Sequence, residues 1–237
     1  MVTTRLDRSP PFERGVTLGD FFVPIRVGER FAAWQRHLVL VILGALLITG
    51  CAYVSISVPA VSLPFGIYIP PDPYVPITLQ TFGVLFTGAT LGFRRGVASS
   101  GLYLLLGSIG LPVFALKADG TRSGVDTIMS FHAGQLVLGA TGGFLIGFLF
   151  ASAIAGALAE HGWDRNLLGS VAAMLGASIA LYVIGLPWLA MAAKLDASQT
   201  LQFGLYPFLP GDLVKLLVAA GLLPVGWWFV RRRAHDL

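Results

Sequence analysis

Residues 139–159 read GATGGFLIGFLFASAIAGALA, a stretch without a single charged side chain. About 20 predominantly apolar residues allow a helix to cross the hydrocarbon core of a bilayer, and this stretch reaches that length. Small side chains recur along it at four-residue steps: Gly139, Gly143, Gly147, Ala151, Ala155 and Ala159. Because helices in lipid approach each other through small residues at that spacing, the stretch predicts a membrane span packed tightly against other helices.

The rest of the chain has the composition of a membrane protein. Of its 237 residues, 55% are hydrophobic and 12% are charged, about half the charged share of a soluble domain. Apolar runs of spanning length predict six transmembrane helices, over residues 37–57, 76–93, 96–115, 135–159, 166–192 and 211–230. We therefore predict an all-α integral membrane protein. A six-transmembrane-helix bundle (37–237) ends in a short basic tail and follows an N-terminal extension (1–36).

The sixteen lysines and arginines are distributed unequally between the two sides of such a bundle. One side holds most of them: Arg5, Arg8, Arg14, Arg26, Arg30, Arg36, Arg94, Arg95, Arg165, Arg231, Arg232 and Arg233. The opposite side holds Lys117, Arg122 and Lys194, while Lys215 lies within the last span. Since loops rich in Lys and Arg stay in the cytoplasm, both termini and the extension are predicted to be cytoplasmic. The three long loops are then outward-facing lid loops.

Several classes of function lack their motifs. No lysine follows a glycine and precedes a hydroxyl residue, so the phosphate-binding loop of an ATPase is missing. The four histidines are scattered, and the chain has no HExxH, CxxC or GxSxG motif. The basic residues form no continuous stripe for nucleic acid. We therefore expect no enzyme activity, no metal, no cofactor and no nucleic-acid partner.

Two charged residues stand at the head of the last apolar helix. The stretch LPGDLVKLL (209–217) places Asp212 and Lys215 three positions apart, on one helical face. Ionisable groups at membrane depth are costly and usually functional, which favours a pair that faces a polar ligand inside the bundle. In the alternative, Asp212 caps the helix and Lys215 extends to the membrane surface. Lys215 disfavours this alternative, because such extension is easiest at the cytoplasmic end of a helix and this residue lies near the outer end.

A family resemblance rests on the segments VPITLQTFGVLFTGATLGFRRG (75–96), YLLLGSIGLPVFA (103–115), GATGGFLIGF (139–148), LYVIGLPWLA (181–190) and LPGDLVKLL (209–217). In this order, from about residue 38 to 230, they resemble the BioY family, the biotin-binding S components of energy-coupling factor (ECF) transporters. The resemblance implies six helices, cytoplasmic termini and a location in the bacterial inner membrane. It also implies a biotin site near the outer face. The expected partners are a transmembrane coupling subunit with its ATPase subunits, or other copies of a solitary transporter.

The resemblance also implies particular contacts to biotin. Asp212 and Lys215 match the family's charged pair and would contact the vitamin, whose ureido ring carries both donors and an acceptor. Phe114, Tyr182 and Trp188 are candidates for the apolar walls, although packing in the core would explain each of these aromatic residues equally well. Gln80 would contribute an amide contact to biotin or a hydrogen bond to a neighbouring helix.

The chain departs from the family pattern in three places. It reads GATGGF where the family usually has GPTGGY, and its loop from Lys117 to Val137 is longer and more polar than usual. Lys117 or Arg122 in that loop would meet the biotin carboxylate or simply be solvated. On the first helix, only Ala45 and Thr49 keep the small-residue spacing used to dock the coupling subunit. A non-transporting membrane anchor or assembly subunit is the alternative function.

Overall fold

The computed structural model describes residues 16–22, 30–55, 61–63, 67–69, 75–116, 120–132 and 135–235. Within these ranges, the helices are α1 Gly19–Phe22, α2 Arg30–Tyr53, α3 Gln80–Leu91, α4 Phe93–Ser108, α5 Gly142–Glu160, α6 Leu167–Ala193, α7 Ala197–Gly204 and α8 Leu209–His235. Two antiparallel hairpins lie in the connections, and they pair β1 Val61–Leu63 with β2 Ile67–Ile69 and β3 Met129–His132 with β4 Gln135–Leu138. The fold is mostly helical.

The hairpins correct the expectation of an all-α fold. The predicted fourth span began at residue 135, but QLVL at Gln135–Leu138 forms strand β4, and helix α5 begins only at Gly142. A short apolar run fits a strand and a buried helix equally well, so hydrophobicity alone could not separate the two. The partner strand β3 decides the conformation, because it offers the backbone of β4 a complete antiparallel ladder from Met129–Leu138 to His132–Gln135.

Four helices are long and apolar enough to cross a membrane: Trp34–Tyr53, Gly142–Glu160, Leu167–Ala193 and Leu209–Arg232. They match the first, fourth, fifth and sixth predicted spans. The second and third predicted spans contain α3 and α4, which have only 12 and 16 residues. Each is shorter than the roughly 20 residues that a bilayer requires of a helix. They are separated by Gly92, whose φ of 85° belongs to the left-handed region that favours glycine.

Helix α5 packs against α3, α4 and α6 through its small residues. A Cβ atom added to Gly143 would lie 2.2 Å from Cβ of Trp188 on α6. On the other side, a Cβ atom added to Gly88 of α3 would lie 2.6 Å from the carbonyl oxygen of Ser152. Ala155, further along α5, is fully buried. The packing seam predicted from the four-residue spacing is therefore confirmed.

One end of the bundle, here called the basic end, carries the start of α2 and the turn between α3 and α4. Helix α1 docks there through Asp20, whose Oδ1 accepts hydrogen bonds from Arg36 at 2.5 Å and Arg95 at 2.9 Å. The ring of Phe21 contacts Trp227 of α8 edge-on, with 5.9 Å between the ring centroids. Part of the predicted extension 1–36 thus belongs to the folded bundle, whereas residues 1–15 and 23–29 lie outside the described residues.

Candidate functional site

A cavity of about 620 Å³, counted to its mouth, lies away from the basic end, among α3, α5, α6, α8 and the loop after α4. Its walls are largely apolar, with Val75, Phe114, Phe144, Phe148, Leu181 and Phe208 among the lining residues. Sites for small molecules typically combine apolar walls with a few polar groups. The lining of this cavity is therefore that of a small-molecule site.

The charged pair of α8 stands at one wall of this cavity. Nζ of Lys215 donates a hydrogen bond to Oδ1 of Asp212 at 2.8 Å, and the two side chains are only 8% and 13% exposed. The Thr81 hydroxyl donates to the same carboxylate at 3.0 Å and accepts from Lys215 at 3.3 Å. The Tyr182 hydroxyl donates to Oδ2 of Asp212 at 2.5 Å. The carboxylate of Asp212 thus receives side-chain donors from three helices.

This arrangement leaves Lys215 and not Asp212 in the cavity wall. Lys215 lines the cavity, whereas Asp212 lies behind it. Two N–H donors of Lys215 are directed at Asp212 and Thr81, so the ammonium group keeps a further donor for a ligand. Because Lys215 is 7% exposed overall, its charge is held inside the protein and does not extend to the surface.

Gln80 at the start of α3 also lines the cavity. Its Nε2 donates to the hydroxyl of Tyr103 on α4 at 2.5 Å, and its Oε1 accepts from Thr78 at 2.8 Å. The helix-to-helix bond considered for Gln80 is therefore present, and it fixes the amide at the cavity wall. Tyr103 in turn packs edge-on against Phe114, with 5.4 Å between the ring centroids. Phe114 lines the cavity as expected for an apolar wall.

The two remaining predicted aromatic residues have different environments. Tyr182 lines the cavity, packs edge-on against Phe144 at 6.2 Å and holds Asp212 through its hydroxyl. Trp188 lies outside the cavity lining. Its indole N–H donates to the carbonyl oxygen of Gly139 at 2.9 Å, and its side chain covers Gly143. Trp188 therefore closes the start of α5 against α6, which is a packing contact.

Several cavity residues were missed by the sequence analysis, including Thr81, Thr127, Thr141 and Phe144. Thr81 had a signal, since it follows Gln80 directly in TLQTF. Thr127 had none, because it belongs to the atypical part of the outer loop. A short 3₁₀ turn and a backbone crossing bring it to the cavity.

The basic residues of the outer loop and the small residues of the first long helix α2 lie in different environments. Lys117 lies outside the described residues. The Arg122 guanidinium stacks on the ring of Tyr53 at 4.1 Å and donates to the Phe114 carbonyl at 3.5 Å. Ala45 is buried and so faces its own bundle, while Thr49 donates its hydroxyl to the Ala45 carbonyl. The outward face of α2 therefore does not present Ala45 to a partner.

The comparison with protein families decides the identity of the chain. The model of the BioY family matches residues 26–232. This chain belongs to the BioY family. A relative from Rhizobium etli named "Biotin transporter BioY" is 36% identical over 192 residues, which cover 78% of this chain and 89% of the relative. A relative from Rhodobacter capsulatus with the same name is 37% identical over 194 residues, which cover 78% and 89%. The family assignment made from the motifs is confirmed.

A solved structure shares the fold of this BioY protein. It is the crystal structure of the S-component for biotin from an ECF-type ABC transporter, with a TM-score of 0.61 at 23% sequence identity. The match covers 83% of this chain and 93% of that chain. The BioY family consists of transporter components and not of enzymes. Together with the four apolar helices, family membership identifies a membrane protein.

Proposed function

We propose that this BioY protein is the biotin-binding S component of an ECF-type vitamin uptake transporter, and that it captures biotin at the outer face of the bacterial inner membrane for import. The observation that carries this proposal is the Asp212–Lys215 ion pair, largely enclosed by protein, beside a mostly apolar cavity. Relatives named as biotin transporters support the choice of ligand.

The lining suits the two chemical parts of biotin. The ureido ring needs a donor for its carbonyl and acceptors for its N–H groups. The free donor of Lys215 and the oxygens of Thr78, Thr81 and Gln80 supply both. The thiophane ring and the valeryl chain need apolar contacts, which Phe144 and the other aromatic side chains provide. In this proposal, Asp212 contributes mainly by orienting Lys215 and compensating its charge.

The proposed topology has six spans, both termini in the cytoplasm and the cavity towards the outside. Helices α3 and α4 complete the six, together with the apolar residues that flank them. Arg36 at the basic end and Tyr53 at the outer-loop contact of Arg122 lie about 25 Å apart along α2, on a rise of about 1.5 Å per residue. The basic end and the outer loop are therefore at opposite ends of the bundle, which supports a cytoplasmic basic end.

The proposed partners are a transmembrane coupling subunit with ATPase subunits, because no phosphate-binding loop is present in the sequence. A solitary, self-associating transporter is the variant to distinguish. Uptake of labelled biotin by cells that express this chain alone, compared with cells that also express a coupling module, separates the two. Uptake that requires the module supports the S-component proposal.

Binding is the direct test of the function. The full chain, purified in detergent, is titrated with biotin by calorimetry or by tryptophan fluorescence. We expect saturable binding of biotin, and no competition with biotin by unrelated vitamins. A non-transporting anchor predicts no binding at all. A preference for another vitamin would overturn the assignment of biotin while leaving the S-component fold intact.

A further inference from the structure

Thr127 has a buried hydroxyl without a hydrogen-bond partner. The residue is 6% exposed, and its Oγ1 is among the few buried side-chain polar atoms of the described residues that lack a partner. Of these atoms, it alone belongs to a residue that lines the cavity. A buried polar group without a partner is destabilising, so such groups usually find a partner in the complete system. In this cavity, the available partner is a ligand.

The position of Thr127 is fixed by its backbone. The turn Val125–Thr127 is joined to the end of α4, because the N–H of Gly124 donates to the carbonyl of Gly107 at 2.8 Å. Next to it, the chain passes so closely that a Cβ on Gly139 would lie 2.2 Å from the Thr127 carbonyl oxygen. Thr127 is therefore held at the cavity by two backbone segments in contact and is not carried by a freely moving loop.

The electrostatic surroundings differ between the Thr127 wall and the Lys215 wall. The charge of Lys215 is compensated by the carboxylate of Asp212 at 2.8 Å, so this wall carries no net charge for an anionic group of a ligand. In the same loop as Thr127, the guanidinium of Arg122 donates to the carbonyl of Phe114, whose side chain lines the cavity. The hydroxyl of Thr141 also belongs to the cavity lining, but it donates to the Thr127 carbonyl at 3.4 Å. The Thr127 hydroxyl is therefore the donor that this pair of threonines leaves for a ligand.

We propose that Thr127 determines specificity for the carboxylate end of the ligand, to which its hydroxyl donates a hydrogen bond, while the ureido end lies at Lys215. This inference rests on the proposed function, because it assumes that biotin occupies the cavity. It adds a residue from the atypical outer loop, so the loop contributes to ligand selection.

The test compares two ligands and matched threonine variants. The full chain and its Thr127→Val, Thr127→Ser and Thr87→Val variants are titrated in detergent with biotin and with biotin methyl ester, which lacks the carboxylate charge. Thr87 is the control, because its hydroxyl is also buried without a partner but it does not line the cavity. We expect Thr127→Val to weaken biotin binding roughly 10-fold or more, as for a lost hydrogen bond to a charged group. The same Thr127→Val substitution should weaken binding of the ester much less. Thr127→Ser should bind biotin as the unaltered chain does, and Thr87→Val should leave the biotin affinity unchanged.

Other affinities would contradict the proposed role of Thr127. Unchanged biotin affinity in Thr127→Val overturns the role of the hydroxyl, and equal losses for biotin and its ester overturn the assignment to the carboxylate end. Thr127→Ala also lacks the hydroxyl and replaces the valine variant if that protein does not fold. Failure of the unaltered chain to bind biotin overturns the proposed function, and this inference falls with it.

Discussion

Each end of the bundle holds a partly buried aspartate in an ion pair, yet the surroundings of the two aspartates differ. At the basic end, Asp20 joins Arg36 and Arg95 beside an open hollow of about 1,030 Å³ that is lined partly by charged side chains. At the other end, Asp212 joins Lys215 beside a smaller, mostly apolar cavity. The hollow beside Asp20 is open and lined partly by charged groups, whereas the cavity beside Lys215 has mostly apolar walls.

This difference shows that an ion pair inside a membrane protein does not by itself identify a binding site. Pairs reached by water contribute little, with a median near 0–1 kcal/mol. Removal of one partner from a dry pair leaves an uncompensated charge and typically costs about 3–5 kcal/mol. The stability and affinity effects of single substitutions should therefore separate the two ends.

The largest effect is expected at Asp212. Asp212→Asn leaves the Lys215 ammonium without its counter-charge and should lower the free energy of unfolding by about 3–5 kcal/mol. Thermal unfolding in detergent measures the loss, and Asp196→Asn is the matched control, because an asparagine also caps helix α7. The double variant Asp212→Asn/Lys215→Met should recover stability without recovering biotin binding. Full stability in Asp212→Asn would mean that this pair is solvated like the one at the basic end.

The next effect concerns affinity at Lys215. Lys215→Met keeps the length of the side chain but removes the donor, so biotin binding should weaken by about 1.5–3 kcal/mol, or roughly 10- to 100-fold. The control is Lys194→Met, which changes an exposed lysine at the end of α6. Calorimetric titration of both variants gives the comparison. Equal affinities in the two variants would remove Lys215 from the binding site.

Sequence patterns predicted the parts of this molecule that repeat. The four-residue spacing along α5 gave a packing seam, and the pairing of Asp212 with Lys215 followed from their helical separation. The place of Thr127 at the cavity could not be predicted. It depends on a turn and on a close contact between backbone segments that are distant from each other in sequence. The strand at Gln135–Leu138 was missed for a related reason, since its conformation depends on pairing with Met129–His132.

Asp164 provides a smaller, pH-dependent test at the basic end. It lies in the turn between α5 and α6, where its Oδ2 accepts from the indole N–H of Trp227 at 2.5 Å and its Oδ1 has no partner among the described residues. Burial raises the pKa of Asp164 to about 6, although the hydrogen bond from Trp227 and the charge of Arg165 lower it.

The raised pKa of Asp164 gives the sign of the effect. Because this pKa lies above the unfolded value of 3.8, the folded state binds the extra proton, and stability should rise as the pH falls from 7 to 5. The gain from this group is about 1 kcal/mol. Unfolding temperatures of the unaltered chain and of Asp164→Asn at the two pH values measure it. A pH dependence that persists in Asp164→Asn would assign the effect to another group.

The smallest effect is expected at Asp20. Burial raises the pKa of Asp20, but hydrogen bonds from Thr17 and Arg95 outweigh burial and hold the pKa below 3.8. The stability that the ionised Asp20 contributes is therefore lost only as the pH falls into the acid range, which is opposite in sign to the effect of Asp164. At neutral pH, Asp20→Asn should lower stability by about 0.5–1 kcal/mol at low salt and less at high salt, because water and ions reach this end. Biotin affinity should not change. Unfolding of Asp20→Asn and Asp212→Asn at two salt concentrations makes the comparison, and a large, salt-independent loss at Asp20 would show that the basic end is as dry as the cavity.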